Sequence, residues 1–268
     1  MENKKKLADI GVFGGSGFYK FLDNIEEVRI ETPYGAPSDS VFIGEIGKHK
    51  VAFMPRHGRN HTLPPHLINY RANVWAMKSI GCKRVISPCA AGSLQKHVAP
   101  GHFVICDQFV DWTDGRKSTF FDGPIVTHVS AANPYCPEMR QLAVETAKEL
   151  GITVHETGTV VVINGPRFST KSESKFFTSQ GWEVINMTQF PEAYLVKEMD
   201  MCPLNISLIT DYDAGLVGEV PPVQHAEVIK VFNDNNEKLK ALLFNLIEKL
   251  PQEREKCECE KTIAGSRV

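Results

Sequence analysis

Three short polar stretches each stand directly after an apolar run. Arg56-His57 follows residues 51–54, Asn186-Met187-Thr188 follows 183–185, and Asp211-Tyr212-Asp213 closes a run that begins at Leu204. In an open α/β sheet, ligands collect at the carboxyl ends of strands, so these exits are the first candidates for chemistry. Asp211 and Asp213 can accept from an exocyclic amine or carry a proton to a ring nitrogen; an Asx-capped turn in solvent is the plainer alternative. Arg56, His57, Arg59 and His61 crowd one exit. There Arg56 can make a bidentate contact to a phosphate, the alternative being a wet basic loop. Gly14-Gly15-Ser16-Gly17 turns tightly and can point N–H groups at a small anion. Its spacing is neither the dinucleotide fingerprint nor a nucleotide P-loop. Phe168, in the rigid stretch Gly165-Pro166-Arg167-Phe168-Ser169, offers a ring. Residue types and spacing alone therefore point to a phosphate plus a planar ligand.

The elements that must position these residues alternate between strand and helix patterns. Strands are predicted at 8–13, 28–30, 84–87, 102–106, 158–163, 183–185 and 204–210, and a hairpin at 40–46 and 51–54 turns on Gly47-Lys48. Helices are predicted at 65–80, 136–150, about eight residues after Thr170, from Pro191-Glu192 onward, and at 223–250. Gly81 and Gly151 stand just past two of these helices. Asn69 and Asn73 make a polar stripe on the first helix, and the small residues of Cys89-Ala90-Ala91-Gly92 permit close approach by a ligand. Residues 107–122 lack periodicity and read as a long loop. The pattern predicts a single α/β domain over 8–250 with a central mixed twisted β-sheet flanked by helices, followed by a charged tail over 251–268 that frays.

A chain of 268 residues with 42% apolar content can bury one large core. A net charge of -2 offers no surface for nucleic acid or an acidic membrane. No membrane span and no signal peptide is expected, which makes the cytoplasm the default location. Of seven cysteines, Cys82, Cys89 and Cys106 read as small core residues. Cys136 and Cys202 are candidates for a pair, and Cys257-Glu258-Cys259 could form a disulfide or remain two surface thiols. Two thiols are too few for a closed zinc site without other ligands, so no metal is expected.

The order and identity of these blocks, extended by Asn69-Tyr70-Arg71-Ala72-Asn73 and Asp107-Gln108-Phe109, resemble the methylthioadenosine phosphorylase branch of the trimeric purine nucleoside phosphorylase family. The resemblance runs from Ala8 to about Leu250. It implies a nucleoside phosphorylase-like fold and phosphate binding by Ser16, Arg56, His57, Ala90 and Thr188. It places Met187 beneath the ribose, beside the phosphate, Asn186 at the substrate, and Phe168 and Ser169 at the base. Asp211 and Asp213 become purine-reading carboxylates, with Ser16 completing the catalytic set. His61 is placed at the substrate, and His128 reaches a neighbouring subunit's 5′ pocket, which implies a homotrimer or a hexamer of trimers. Inorganic phosphate is then a co-substrate and no cofactor is needed. The charged tail with Cys257-Glu258-Cys259 resembles that of thermophilic archaeal members.

Three features depart from the family pattern. Asn164 stands where Glu is usual, so its hydrogen-bond partners must differ. Gln189-Phe190 replaces Thr-Val. His225 stands where methylthio-specific members carry an apolar residue and where purine nucleoside phosphorylases carry a histidine for the 5′-hydroxyl. The base end thus reads as adenine-selective while the sugar end admits a hydroxyl. The expected reaction is phosphorolysis of methylthioadenosine and of adenosine, with a 6-oxopurine nucleoside phosphorylase as the alternative.

Overall fold

The computed structural model describes residues 6–14, 23–216, 220, 223–254 and 256–266. Eleven strands among the described residues form one mixed sheet. Its spine is β1 (Ile10–Gly14), which lies parallel to both β4 (His49–Pro55) and β5 (Arg84–Ser93). Strand β11 (Cys202–Asp211) runs parallel to β5 on its other side. The carboxyl ends of β1, β4, β5 and β11 therefore share one edge, and the exits at Arg56 and Asp211 open on it. Strands β2 (Asp23–Val28) and β3 (Val41–Ile46) add an antiparallel margin beyond β4. The other flank holds β10 (Val184–Asn186), antiparallel to β5, then β9 (Thr159–Ile163) and β7 (Gln108–Trp112). Two short strands, β6 (Phe103–Val104) and β8 (Val154–His155), extend the sheet from β11.

Successive strand residues face opposite sides, and both sides are covered. Phe42, Ile46, Val51 and Phe53 face one core, with α2 (Pro137–Glu149) and α5 (His225–Lys249) packed over it through Met139, Ala143, Leu239, Leu242 and Leu246. Val41, Ile43, Ala52 and Met54 face the opposite core, closed by α1 (Tyr70–Ser79) and α4 (Gln189–Glu198) through Val74, Met77, Leu195 and Val196. The short α3 (Lys171–Ser179) opens with a full capping box between Thr170 and Glu173. No helix among the described residues is long and apolar enough to cross a membrane.

The predicted elements recur, with informative shifts. The first helix begins at Tyr70 rather than 65, because the Asn69 side chain caps it by accepting from the Ala72 N–H, and Pro65–Leu67 forms a separate 3-10 turn. Asn69 and Asn73 do not form a surface stripe. They hold the 34–38 loop through Tyr34 O (2.7 Å), Ser38 N (2.8 Å) and Ser38 Oγ (2.9 Å). Strand β5 continues through the small residues to Ser93, and the predicted loop 107–122 begins as the edge strand β7.

The tail does not fray over its described residues. Arg84 donates to Glu253 O (2.8 Å), Arg254 to Asp200 O (2.7 Å), and Ile263 N–H to Asp200 Oδ1 (3.0 Å). Cys259 is buried in the same core as Cys136 and Cys202. Cys257 and Cys259 are therefore neither surface thiols nor alone, because the tail brings them to Cys136 and Cys202.

Candidate functional site

Arg56 is the buried centre of the shared edge. Its N–H bonds Gly14 O (3.1 Å), which locks the exit of β4 beside that of β1. The residue is 3% exposed. Nε donates to Glu192 Oε2 (2.6 Å) and Nη2 to Glu192 Oε1 (2.9 Å), so the bidentate face predicted for phosphate is taken by a carboxylate from α4. Nη2 also reaches Phe13 O (2.9 Å) and Nη1 reaches Pro88 O (3.3 Å). These bonds engage most of the five guanidinium N–H donors and leave one N–H of Nη1 free of a partner among them. Burial opposes the guanidinium charge, but the Glu192 charge and hydrogen bonds outweigh it and raise its pKa.

His57 follows on the same exit. Its Nδ1 lies 2.8 Å from Leu63 O, which can only accept, so Nδ1 carries the hydrogen. Burial, the Arg56 charge and stacked His61 together lower its pKa to about 4. The ring is neutral near pH 7, and Nε2 presents a lone pair that can accept a hydrogen bond. His61, with ring centroid 4.5 Å from His57, is exposed and stacks on it.

Strand β10 runs against β5, so its exit lies beside the middle of β5. The Asn186 side chain turns inward. Its Oδ1 accepts from the N–H groups of Thr188 and Gln189 (both 3.3 Å), and its Nδ2 reaches Cys89 Sγ (3.5 Å). The Asn186 oxygen thus holds the strand-to-helix turn that presents Met187 and Thr188. Thr188 is buried at the head of α4, one turn before Glu192. Ala90 is exposed in the middle of a strand whose first five residues are all buried.

Asp211 closes β11 at a bulge opposite Gly92. Its Oδ1 accepts from Asp213 N–H (2.8 Å) and its Oδ2 from the Thr210 hydroxyl (2.8 Å). Burial raises its pKa, with the Asp213 and Glu227 charges adding to the effect. Gly92 is required here: a Cβ would stand 2.9 Å from Asp211 Oδ1 and 2.9 Å from Ile185 Cγ2. The space beside Gly92 receives this carboxylate rather than a ligand. Asp213 is buried, adopts φ 48, and is likewise raised by burial. The Ser169 and Ser174 hydroxyls lie close against its carboxyl and partly offset the effect of burial, yet Asp213 Oδ2 and Ser169 Oγ are buried without a well-aligned hydrogen bond within the chain, which leaves both able to turn to a ligand.

Phe168 is 40% exposed at the tip of its loop, and the neighbouring Arg167 pairs with Glu173 (2.7 Å) to fix that loop. Met187 is half-buried and fits against Gly165, where a Cβ would meet its Sδ at 2.6 Å. His128 lies on an exposed stretch with Ile125 and Val126, each 54% exposed, and its N–H bonds Ser266 O of the tail (2.8 Å). Ser16 lies outside the described residues, as does the side chain of His225.

One residue escaped the sequence reading. Arg116 leaves the 107–122 segment and ties the pocket walls together. It donates to Asn164 Oδ1 (3.2 Å), Asn164 O (3.0 Å), Met187 O (2.8 Å) and Phe190 O. It also lies over the Tyr70 ring at 5.2 Å. Asn164, where the family pattern has Glu, therefore meets a guanidinium as a neutral acceptor. A lone arginine in an aperiodic stretch gives no sequence signal for this role.

The profile of the Phosphorylase superfamily matches residues 9–248, the whole described sheet and nearly all of the five helices. The chain belongs to this superfamily. Relatives cover it almost end to end. An S-methyl-5'-thioadenosine phosphorylase of Thermofilum pendens is 52% identical over 256 residues, 95% of this chain and 96% of that protein. A purine nucleoside phosphorylase of Streptomyces coelicolor is 49% identical over 275 residues, 99% of this chain and 97% of its own. The crystal structure of a methylthioadenosine phosphorylase from an antarctic soil metagenomic library superposes with a TM-score of 0.93 at 36% identity, over 98% of this chain and 93% of that one. The Schistosoma mansoni methylthioadenosine phosphorylase, in complex with adenine, follows at 0.90 and 32% identity, over 97% and 98%. The single-domain nucleoside phosphorylase fold expected from the sequence is the one these structures share.

Proposed function

We propose that this superfamily member catalyses phosphorolysis of 5′-methylthioadenosine, with adenosine as a second substrate, to adenine and the pentose 1-phosphate. The observation that carries this reading is the pair of carboxyls at the end of β11, Asp211 half-buried and Asp213 buried, both with pKa raised by burial, and with Asp213 Oδ2 and Ser169 Oγ lacking a well-aligned hydrogen bond within the chain. The relatives named for methylthioadenosine support the same substrate.

Phosphate occupies the space at Ala90, with Arg56 Nη1, His57 Nε2 and Thr188 around it, and the family resemblance adds Ser16 to this set. As the glycosidic bond stretches, the ribose gains positive charge and the bound anion stabilises it. Electrons flow into the purine, and a protonated Asp211 hands its proton to N7. The Thr210 hydroxyl suits this role, since it lies 2.8 Å from Asp211 Oδ2 and 3.3 Å from Ala91 O. It donates to the carboxylate and turns to Ala91 O when the carboxyl holds a proton. Phosphate then attacks C1′ with inversion. No cofactor enters, and His128 from a second copy closes the 5′ end of the pocket, as the exposed Ile125 and Val126 beside it favour.

A second reading, phosphorolysis of inosine or guanosine, is favoured by the Streptomyces relative and by the raised pKa of Asp211, because a protonated carboxyl can donate to O6. A kcat/KM panel of methylthioadenosine, adenosine, methylthioinosine, inosine and guanosine, with and without phosphate, decides between the two. Methylthioadenosine at the top and strict dependence on phosphate are expected. Inosine or guanosine at the top overturns the substrate, and equal base release without phosphate overturns the reaction class.

A further inference from the structure

Four cysteines from distant parts of the chain converge at the C-terminal segment. The Sγ atoms of Cys136, Cys202, Cys257 and Cys259 all lie within 4.8 Å of one another, with three of the residues buried and Cys257 half-buried. Cys202 Sγ stands 3.6 Å from Cys257 Sγ and also within hydrogen-bonding range of Cys136 and Cys259. Cys136 immediately precedes α2, Cys202 opens β11, and the Cys136 N–H bonds Pro203 O (2.9 Å), which fixes these two sulfurs on the sheet. The tail then lays Cys257 and Cys259 over them.

We propose that these four cysteines form a thiolate site for one zinc ion that staples the C-terminal segment to the domain. A tetrahedral zinc with Zn–S near 2.3 Å places its sulfurs about 3.8 Å apart, each touching the other three. The quartet is close to that arrangement, with every separation at or below 4.8 Å and Cys202–Cys257 at 3.6 Å, whereas two disulfides would draw the sulfurs into two pairs at about 2.05 Å. The surroundings are those of a closed structural site, since Cys136, Cys202 and Cys259 belong to the core that contains Met139, Leu243 and Leu250. The complex would carry two negative charges, and the Arg254 guanidinium lies against Cys202 and Cys257 to offset them. Asp200 O (2.7 Å) and Glu260 (3.0 Å) hold Arg254 in place, in the manner of a supporting shell around a metal. Each thiol releases its proton to solvent as its Zn–S bond forms, and nothing is oxidised. The site is independent of the proposed reaction and leaves that chemistry metal-free.

The test uses the full chain purified under reducing, chelator-free conditions. Elemental analysis by plasma mass spectrometry should find close to one zinc per chain, and a thiol reagent on the folded protein should leave these four cysteines unmodified until zinc is displaced. Cobalt exchanged into the site should show thiolate-to-cobalt charge transfer and the visible bands of tetrahedral coordination. In the Cys257→Ser/Cys259→Ser double variant, bound zinc should fall to background and Tm should drop. If that variant does not fold, removal of zinc from the wild type and its stoichiometric return, followed by the cobalt spectrum, answers the same question. A chain that holds no zinc and takes none up, whether its thiols are free or joined in two disulfides, overturns the proposal.

Discussion

The buried pair between Arg56 and Glu192 makes a quantitative test of how the anion side of the site is built. Both side chains are almost wholly inside, 4% and 1% exposed, and joined by two hydrogen bonds of 2.6 and 2.9 Å. In Glu192→Gln the shape is kept and the charge removed, which leaves the Arg56 cation without its counter-charge. Breaking one side of a buried pair costs roughly 3–5 kcal/mol, and the lower end applies because the amide oxygen still accepts one N–H. At roughly 2–4 °C per kcal/mol for chains of this order, Tm should fall by about 6–12 °C in phosphate-free buffer. The same change turns Arg56 toward an anion, since Nε and part of Nη2 lose a charged partner. A ligand that binds only the native state stabilises it by an amount set by its affinity, so saturating phosphate should raise Tm more in the variant than in the wild type. Differential scanning calorimetry with and without phosphate reads both effects. A Tm within about 2 °C of wild type would refute the energetic argument, and an equal phosphate shift in both proteins would refute the placement of Arg56 at the anion.

Two further perturbations probe the neutral histidine and the glycine beside the carboxylate. His57 has a pKa near 4 in the fold, so between pH 6.5 and 4 the unfolded chain takes up a proton that the folded ring refuses. Its contribution is full above pH 6.5 and is lost as pH falls, by roughly 2 kcal/mol at pH 5. Asp211 and Asp213, raised by burial, act in the opposite sense, so the comparison must be with His57→Asn, whose amide retains the donation to Leu63 O. Urea unfolding at pH 7 and pH 5 should show a smaller loss in the variant, and identical pH dependence would exclude a neutral buried ring. Gly92→Ala should push the Asp211 carboxylate aside, costing about 1–3 kcal/mol of stability and on the order of 10²-fold in kcat, with little change in the phosphate KM. A kcat within twofold of wild type would show that Asp211 need not lie where it does.

Much of the site was legible in the chain because each part is local. An apolar run that ends in Arg56-His57, in Asn186-Met187-Thr188 or in Asp211-Tyr212-Asp213 announces both its strand and its polar exit, and all three stand at strand ends in the fold. The buried helix faces were equally readable, since spacing along one segment decides which side is apolar. Tertiary structure alone decided what each exit does. Arg56 meets Glu192 across 136 positions, and this contact, absent from any local pattern, takes the bidentate face that its residue type suggested for phosphate. Asn186 turns onto Thr188 and Gln189, and Arg116 finds Asn164, Met187 and Phe190 from a stretch without periodicity. The tail that read as frayed carries two of four converging sulfurs. Residue type and short-range spacing determine which chemistry a segment can offer. Partners brought from far along the chain by strand pairing and helix packing determine which donors are already engaged, which carboxyls are desolvated, and which thiols meet.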